Sequence, residues 1–250
     1  MLRKFIELNR AMSLRFDKLL PSSVTLDGLD MLKERVRSSS ELHADTVIHD
    51  YGGGKHPYAG WYLPKPKGSR MHGFDIDKSE LDLAKPGLYD KIHVSDISVS
   101  QKPVSDKADI SFCIATLEHV PDSQVALANV KQNMKTGSKL FLFIPNKNAA
   151  FSRLNILLPE TFKKKLLSAL YPDSGERLGF KANYDRCTPR QVEEMCQQLE
   201  FSGLEIIPSY NSFYFTFFTP LHMVWRLLQV PLKLFFGRNM CETFVVIAKN

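Results

Sequence analysis

The sequence predicts an α/β chain built on a parallel, doubly wound sheet, and two observations carry that expectation. Short apolar runs bounded by turn residues alternate with helical stretches through the middle of the chain. The first run, Thr46 to His49, delivers Asp50 and then breaks into Gly52, Gly53 and Gly54. Consecutive glycines at a strand's C-terminal end let the backbone take positive φ and let a ligand approach without Cβ collisions. In open α/β sheets, ligands bind at that end of the strands. The turn therefore points to a nucleoside-cofactor pocket.

A chain of 250 residues can bury a full core, and one domain with insertions is the expectation. Hydrophobic residues at 44% and charged residues at 24% exclude disordered and collagen-like classes. A net charge of +6 permits an anionic partner, nucleic acid or membrane, without requiring one. Cys113, Cys187, Cys196 and Cys241 lack the spacing of a metal site or a disulfide framework, so no metal is expected and the thiols fit a reducing cytosol. Glu7, Asn9 and Arg10 interrupt any apolar stretch at the N-terminus, which excludes a signal peptide.

The elements follow in order. Leu2, Phe5, Ile6, Met12, Phe16, Leu19 and Leu20 recur at helical spacing, with Arg3, Lys4, Arg10, Arg15 and Lys18 largely on other faces, so a basic amphipathic helix should run to Pro21. Such a helix either docks on the core through its apolar residues, the more economical expectation, or lies on an anionic membrane. A second helix spans about Leu26 to Ser38. Beyond the glycines, Pro57, Pro64 and Pro66 leave room for a short helix or none.

Arg70 to Ile76 is the second strand, and Asp75, about 20 residues past the glycines, is placed to accept hydrogen bonds from ribose hydroxyls. Lys91 to Val94 is a third strand ending near Asp96, and Ala108 to Ile114 a fourth. The helix from Ser123 to Met134 starts after Asp122 at an N-cap position, and Ser138 to Ile144 is the fifth strand.

Four motifs in this order carry a resemblance: Asp50-x-Gly52-x-Gly54, Gly73-Phe-Asp-Ile76, Ser95-Asp-Ile97 and Leu117-Glu-His-Val-Pro-Asp122. Together they resemble class I S-adenosylmethionine-dependent methyltransferases, in the type 11-like branch that shares the Leu-Glu-His-Val motif. The likeness covers roughly residues 45–146 and resumes at Cys187 to Glu194. It implies a Rossmann-like sheet with an antiparallel last strand, and S-adenosylmethionine as cofactor. It also implies that Asp50, Tyr51, Gly52, Gly53, Gly54 and Lys55 cradle the methionine end. Asp75 and Ile76 would serve the ribose, Asp96 and Ile97 would flank the adenine, and Ala115, Thr116 and Leu117 would line the floor near the sulfonium. His56 stands where the family has its last glycine, so the cofactor's carboxylate is expected at Lys55 or His56. His119, at the pocket mouth, is the candidate general base for a hydroxyl acceptor; a role for Glu118 and His119 as braces of the loop is the alternative.

The domain then divides into N-terminal helices (1–44), a cofactor-binding core (45–146), a lid insertion (147–187), remaining core (188–208 and 243–250) and an apolar aromatic insertion (209–242). The lid contains an apolar helix from Thr161 to Tyr171 carrying Lys163 to Lys165, and Tyr184 and Arg186 are candidate acceptor contacts. In the second insertion Pro220, Arg226 and Pro231 argue for two short amphipathic helices rather than a span of the membrane. These helices pack as core or meet a membrane through 209–236, the basic first helix adding attraction to anionic lipid.

The expected function is methyl transfer to a sugar hydroxyl of a bacterial surface glycan or its lipid-linked precursor, in the cytoplasm or at the inner face of the cytoplasmic membrane. Methylation of a quinone or other lipid-like molecule is the alternative. A cofactor-binding peripheral membrane or assembly protein without turnover is the alternative from another class. No basic stripe with interleaved aromatics appears, so no nucleic-acid partner is expected.

Overall fold

The computed structural model describes residues 2–39, 42–54, 57, 65–159, 161–163, 165 and 181–250. In chain order the elements are α1 (Leu2–Asp17), α2 (Ser22–Thr25), α3 (Gly28–Arg37), β1 (Val47–Tyr51), β2 (Arg70–Asp75), α4 (Lys78–Asp82) and β3 (Lys91–Val94). They continue with β4 (Ala108–Ile114), α5 (Ser123–Gln132), β5 (Met134–Pro145), α6 (Ala150–Leu157), α7 (Pro189–Gln198), β6 (Ser202–Ser209), α8 (Thr219–Phe236), a 3-10 turn (Gly237–Met240) and β7 (Thr243–Lys249).

Seven strands form one sheet in the order β3-β2-β1-β4-β5-β7-β6. Strands β1 to β5 pair in parallel, and β7 runs antiparallel between β5 and β6. The expected sheet and its antiparallel last strand are present. The order reverses beside β1, which places a crevice over the C-terminal ends of β1 and β4, where such sheets bind ligands. The register levels those ends: Tyr51 lies opposite Phe74 and Cys113, and Asp75 opposite Val94.

Alternation along the strands sorts the core to two faces. One cluster joins Tyr51, Phe74, Cys113 and Leu142 to Leu127 and Val130 of α5 and Val192 and Met195 of α7. The other joins Ile48, Ile110, Phe112 and Phe141 to Leu32 and Val36 of α3. Two helix starts are capped by aspartates, at α5 by the expected Asp122 and at α3 by Asp27. Asp122 accepts from the Gln124 and Val125 amides at 3.0 and 3.1 Å, and Asp27 accepts from the Leu29 amide at 2.9 Å.

Two expectations are corrected. The aromatic insertion holds one 18-residue helix rather than two short ones. Pro220 occupies the first turn, where its missing N–H costs nothing, and Pro231 is accommodated inside the helix. The first helix stops at Asp17, short of Pro21, and only part of its expected apolar set turns inward: Ile6 is buried and Leu20, past the helix end, packs against the core, whereas Leu2, Phe5, Leu8 and Met12 are exposed. The residues α1 buries are otherwise polar, namely Asn9, Ser13 and Asp17, because they meet Thr219, His222 and Arg226 of α8. The expected short or missing helix after the glycines and most of the expected lid helix from Thr161 lie outside the described residues.

Candidate active site

The glycine turn leaves β1 with Gly52 at φ +71° and Gly54 at φ +47°, conformations that disfavour a Cβ. A Cβ on Gly52 would fall 2.4 Å from the Thr116 side chain, and one on Gly53 would fall 2.6 Å from Asp50 Oδ2 and 2.7 Å from Tyr89 Oη. The Asp50 carboxylate is thus tucked beneath the turn, and Tyr89 closes it from the side. The Tyr89 hydroxyl donates to the Gly54 carbonyl at 3.3 Å. Thr116 ties the next strand end to the turn through its hydroxyl, which donates to the Tyr51 carbonyl at 2.9 Å. Ala115, just before it, holds φ +52°, a strained setting for a residue with a Cβ and one found where a site dictates the backbone.

These ends enclose a cavity of about 380 Å³, whose lining includes Gly52, Asp75, Ile76, Asp96, Ile97, Ala115, Thr116 and His119. Burial raises the Asp75 carboxyl above the usual carboxylate range, opposed by the amide of Asp77, which donates to Asp75 Oδ1 at 3.1 Å. Asp96 Oδ1 accepts from Ser98 N and Oγ at 2.8 and 2.6 Å, which fixes the loop after β3.

The motif loop is held from a distant part of the chain. The Asn183 and Tyr184 amides donate to the Glu118 carbonyl at 2.7 and 2.9 Å, and Asn183 Nδ2 donates to the His119 carbonyl at 2.6 Å. The Lys181 carbonyl lies 3.2 Å from His119 Nδ1. A carbonyl only accepts, so Nδ1 carries the proton and Nε2 is the lone-pair nitrogen of the neutral ring. Burial lowers the pKa of the imidazole, partly offset by that carbonyl, which keeps it neutral at physiological pH. Glu118 is buried beside it, with Oε1 3.8 Å from His119 Nε2, and burial pushes its carboxyl up to about 8. Glu118 is therefore protonated at neutral pH and leaves the base without a competing anion.

Several predicted residues lie elsewhere. Tyr51 faces the core, its ring stacked on Phe74 at 4.5 Å and its hydroxyl 3.2 Å from His49 Nδ1, and Leu117 is likewise a core residue. Asp50, Gly53 and Gly54 shape the turn without lining the cavity, and Lys55 and His56 lie outside the described residues. The two acceptor candidates do not line this cavity. Tyr184, at φ +50°, is buried beside Ser152 and Asn155. Arg186 turns away to Gln124 and lines a separate, smaller cavity with Gln191 and Glu194. The residues of the 147–187 insertion that line the cofactor cavity are Lys181 and Asn183. Ser95, Tyr89, Val120 and Pro121 were not singled out from the sequence either, although only Tyr89 lies outside the motifs.

The residues fit S-adenosylmethionine. The cavity lies in the range of roughly 300–1,000 Å³ typical of ligand pockets. Ser95 lines it with a hydroxyl that is shielded from water and has no hydrogen-bond partner, as a ligand's polar groups require. Asp75 would accept from ribose hydroxyls, Asp96 and Ile97 would flank the base, and the open face of Gly52 would admit the methionine end. Among the described residues, no group of three His, Cys, Asp or Glu is placed to hold a metal ion.

Comparison with known proteins agrees with this geometry. A family model described as a methyltransferase domain matches residues 30–209, so the chain belongs to that family, the S-adenosylmethionine-dependent methyltransferases of class I fold. Ubiquinone biosynthesis O-methyltransferases of Coxiella burnetii are 28% identical over 145 residues, covering 56% of this chain and 56% of the relative. The chain thus matches a little over half the length of these curated relatives. A SAM-dependent methyltransferase from Archaeoglobus fulgidus shares the fold at a TM-score of 0.52 and 14% identity, covering 89% of this chain and 95% of that one. Phosphoethanolamine N-methyltransferase 2 of Haemonchus contortus, solved with S-adenosyl-L-methionine, shares it at a TM-score of 0.53 and 13% identity, covering 100% and 60%.

Proposed function

We propose that the chain transfers the methyl group of S-adenosylmethionine to a hydroxyl oxygen of a lipid-borne acceptor. The observation that carries the reading is His119, a neutral imidazole with its lone pair on Nε2, on the lining of the cofactor cavity. When bound, the cofactor supplies a methyl already activated by its sulfonium, so positioning and exclusion of water carry most of the acceleration. What remains for the protein is to take the acceptor's proton, and His119 Nε2 is the group suited to it.

The Coxiella relatives, named for O-methylation in ubiquinone biosynthesis, support a phenolic hydroxyl of a quinone precursor as the acceptor. The sugar hydroxyl of a lipid-linked glycan is the second reading; it draws on apolar residues exposed in the two insertions, among them Leu157, Phe213 and Phe218. Radiolabelled S-adenosylmethionine offered with each acceptor class separates the two. His119→Gln should lower kcat by about 10²–10⁴-fold with cofactor affinity kept. Turnover at the wild-type rate in that variant would remove His119 as the base. Cofactor binding without transfer to either class would favour the binding protein without turnover.

A further inference from the structure

Helices α1 and α8 pack as an antiparallel-in-chemistry pair: their buried seam is polar and their outer surface apolar. From α8 the buried residues are Thr219, His222, Arg226 and Gln229, one stripe at helical spacing. Asn9 Oδ1 accepts from the Thr219 amide and the Asn9 carbonyl from its hydroxyl, both at 2.9 Å. Asp17 Oδ1 accepts from Arg226 Nε at 2.9 Å and lies 3.0 Å from His222 Nε2. Arg226, wholly enclosed, also donates to the Val24 and Tyr210 carbonyls at 2.7 and 2.6 Å and to Gln229 Oε1 at 2.6 Å. Gln229 and Trp225 both donate to Glu242, at the foot of β7.

The other faces are left to the exterior. Leu227, Leu228, Leu234, Phe235 and Phe236 of α8 are exposed, Phe235 to 81%, and so are Phe5, Leu8 and Met12 of α1. In a soluble surface helix the apolar stripe faces the core; here the polar network holds the pair with that stripe turned outward. An apolar surface of this extent marks an interaction face.

We propose that the outer face of the α1–α8 pair docks on an anionic lipid bilayer. Charge selects that occupant. Alpha-1 exposes Lys4 and Arg15 beside its apolar residues, together with Arg3 paired to Glu7 at 3.0 Å; Lys18 follows it, and α8 carries no acidic residue. Two copies of this face would bring like charges together, whereas acidic headgroups complement them while the apolar side chains enter the acyl boundary. Among the described residues no helix is long and apolar enough to cross a membrane, and α8 lies on the surface rather than through it.

Placement gives the docking a consequence. Alpha-8 sits between Ser209, the end of β6, and Thr243, the start of β7, which pair with each other and lie beside Pro145 at the C-terminal end of β5. That is the edge onto which the cofactor cavity opens. Phe151 of α6 stacks on Tyr214 at 3.6 Å and joins the lid to the same insertion. A bilayer under the helix pair would therefore lie alongside the cavity mouth, where a lipid-borne acceptor arrives.

The test is sedimentation with vesicles of phosphatidylcholine alone and of phosphatidylcholine with phosphatidylglycerol, alongside light scattering of lipid-free protein. Wild type should pellet with the phosphatidylglycerol vesicles. Leu227→Ser/Leu234→Ser/Phe235→Ser should weaken that binding by about tenfold or more, and Lys4→Glu/Arg15→Glu should reduce the preference for phosphatidylglycerol. Circular dichroism of each variant establishes that it is folded. Calorimetry with S-adenosylmethionine should give wild-type affinity in both, so a failure of docking and a failure of the methyltransferase reading are seen separately. Folded wild type that stays in the supernatant with both vesicles, or a triple variant that pellets like wild type, overturns the proposal. So does a lipid-free dimer that the triple variant converts to monomer without vesicle binding, since the face would then join two copies.

Discussion

At the cofactor edge Phe74 and Leu117 are buried while Asp75, Asp96 and His119 border the opening; in the α1–α8 pair Asp17, His222 and Arg226 are buried while Leu234 and Phe235 face outward. Both regions are built from amphipathic segments, so periodicity alone does not separate them. The difference lies in what each polar group can pair with. At the strand ends the carboxylates meet backbone amides and open space for a ligand. In the helix pair each side-chain nitrogen of Arg226 has a partner on another element, and those bonds hold the inverted packing, although Asp17 Oδ2, His222 Nδ1 and Glu242 Oε2 around it lack one.

The strongest way to break this contrast is to remove the guanidinium. Arg226→Ala leaves the Asp17 carboxylate, Gln229 Oε1 and two backbone carbonyls without their shared donor. Losing one partner of a buried ion pair costs about 3–5 kcal/mol, and urea denaturation followed by circular dichroism should show a loss of that order. A loss below about 1 kcal/mol would place the network among interactions of surface strength and remove the reason for the outward apolar face.

At the cofactor edge the corresponding test leaves the fold in place. Gly52→Ala puts a Cβ into a left-handed backbone that costs about 1–3 kcal/mol and against the Thr116 side chain 2.4 Å away. Affinity for S-adenosylmethionine, measured by calorimetry on protein shown to be folded, should fall on the order of a hundredfold, equivalent to about 2.7 kcal/mol. An unchanged affinity would mean that the cofactor does not approach the turn.

The two regions were also unequally legible in the sequence. Strands β3 and β4 fall on their expected residues, and Asp75, Asp96, Ala115, Thr116 and His119 come together at one cavity, because strand periodicity and the glycine turn are local signals. Lys181 and Asn183 were not legible, since they reach His119 across more than 60 residues of chain and carry no motif. Tyr184 and Arg186 were chosen by chemistry alone, and the left-handed backbone at both turns them to other surroundings. For α1 the spacing separated the apolar from the basic residues but did not show which residues turn inward, and for α8 the prolines suggested two short helices rather than one. The inward face depended on a partner helix more than 200 residues away.

The smallest expected effect separates the regions by pH. In the sheet, His49 and His72 stack at 5.1 Å, and His93 follows 5.4 Å from His72. Burial, reinforced by the neighbouring His72, holds His49 down at about 3, and burial reinforced by His93 holds His72 at about 4, against 6.5 for an unperturbed ring. The unfolded chain therefore binds protons first as pH falls below 6.5, and stability present above that value is lost on the acid side. Glu242, anchoring α8, has the opposite sign: burial pushes its carboxyl from 4.5 up to about 7, so the folded state keeps a proton that the unfolded chain releases. Its contribution is full below 4.5 and lost as pH rises through about 7. Glu118, raised to about 8, acts in the same direction at the cofactor edge. Urea midpoints across this range should pass through a maximum, with His49→Gln flattening the acid side. Glu242→Gln, which keeps the acceptor for Trp225 and Gln229, should flatten the alkaline side up to about 7. If Glu118→Gln alone flattens it, the alkaline weakness belongs to the cofactor edge and the α8 anchor is insensitive to pH.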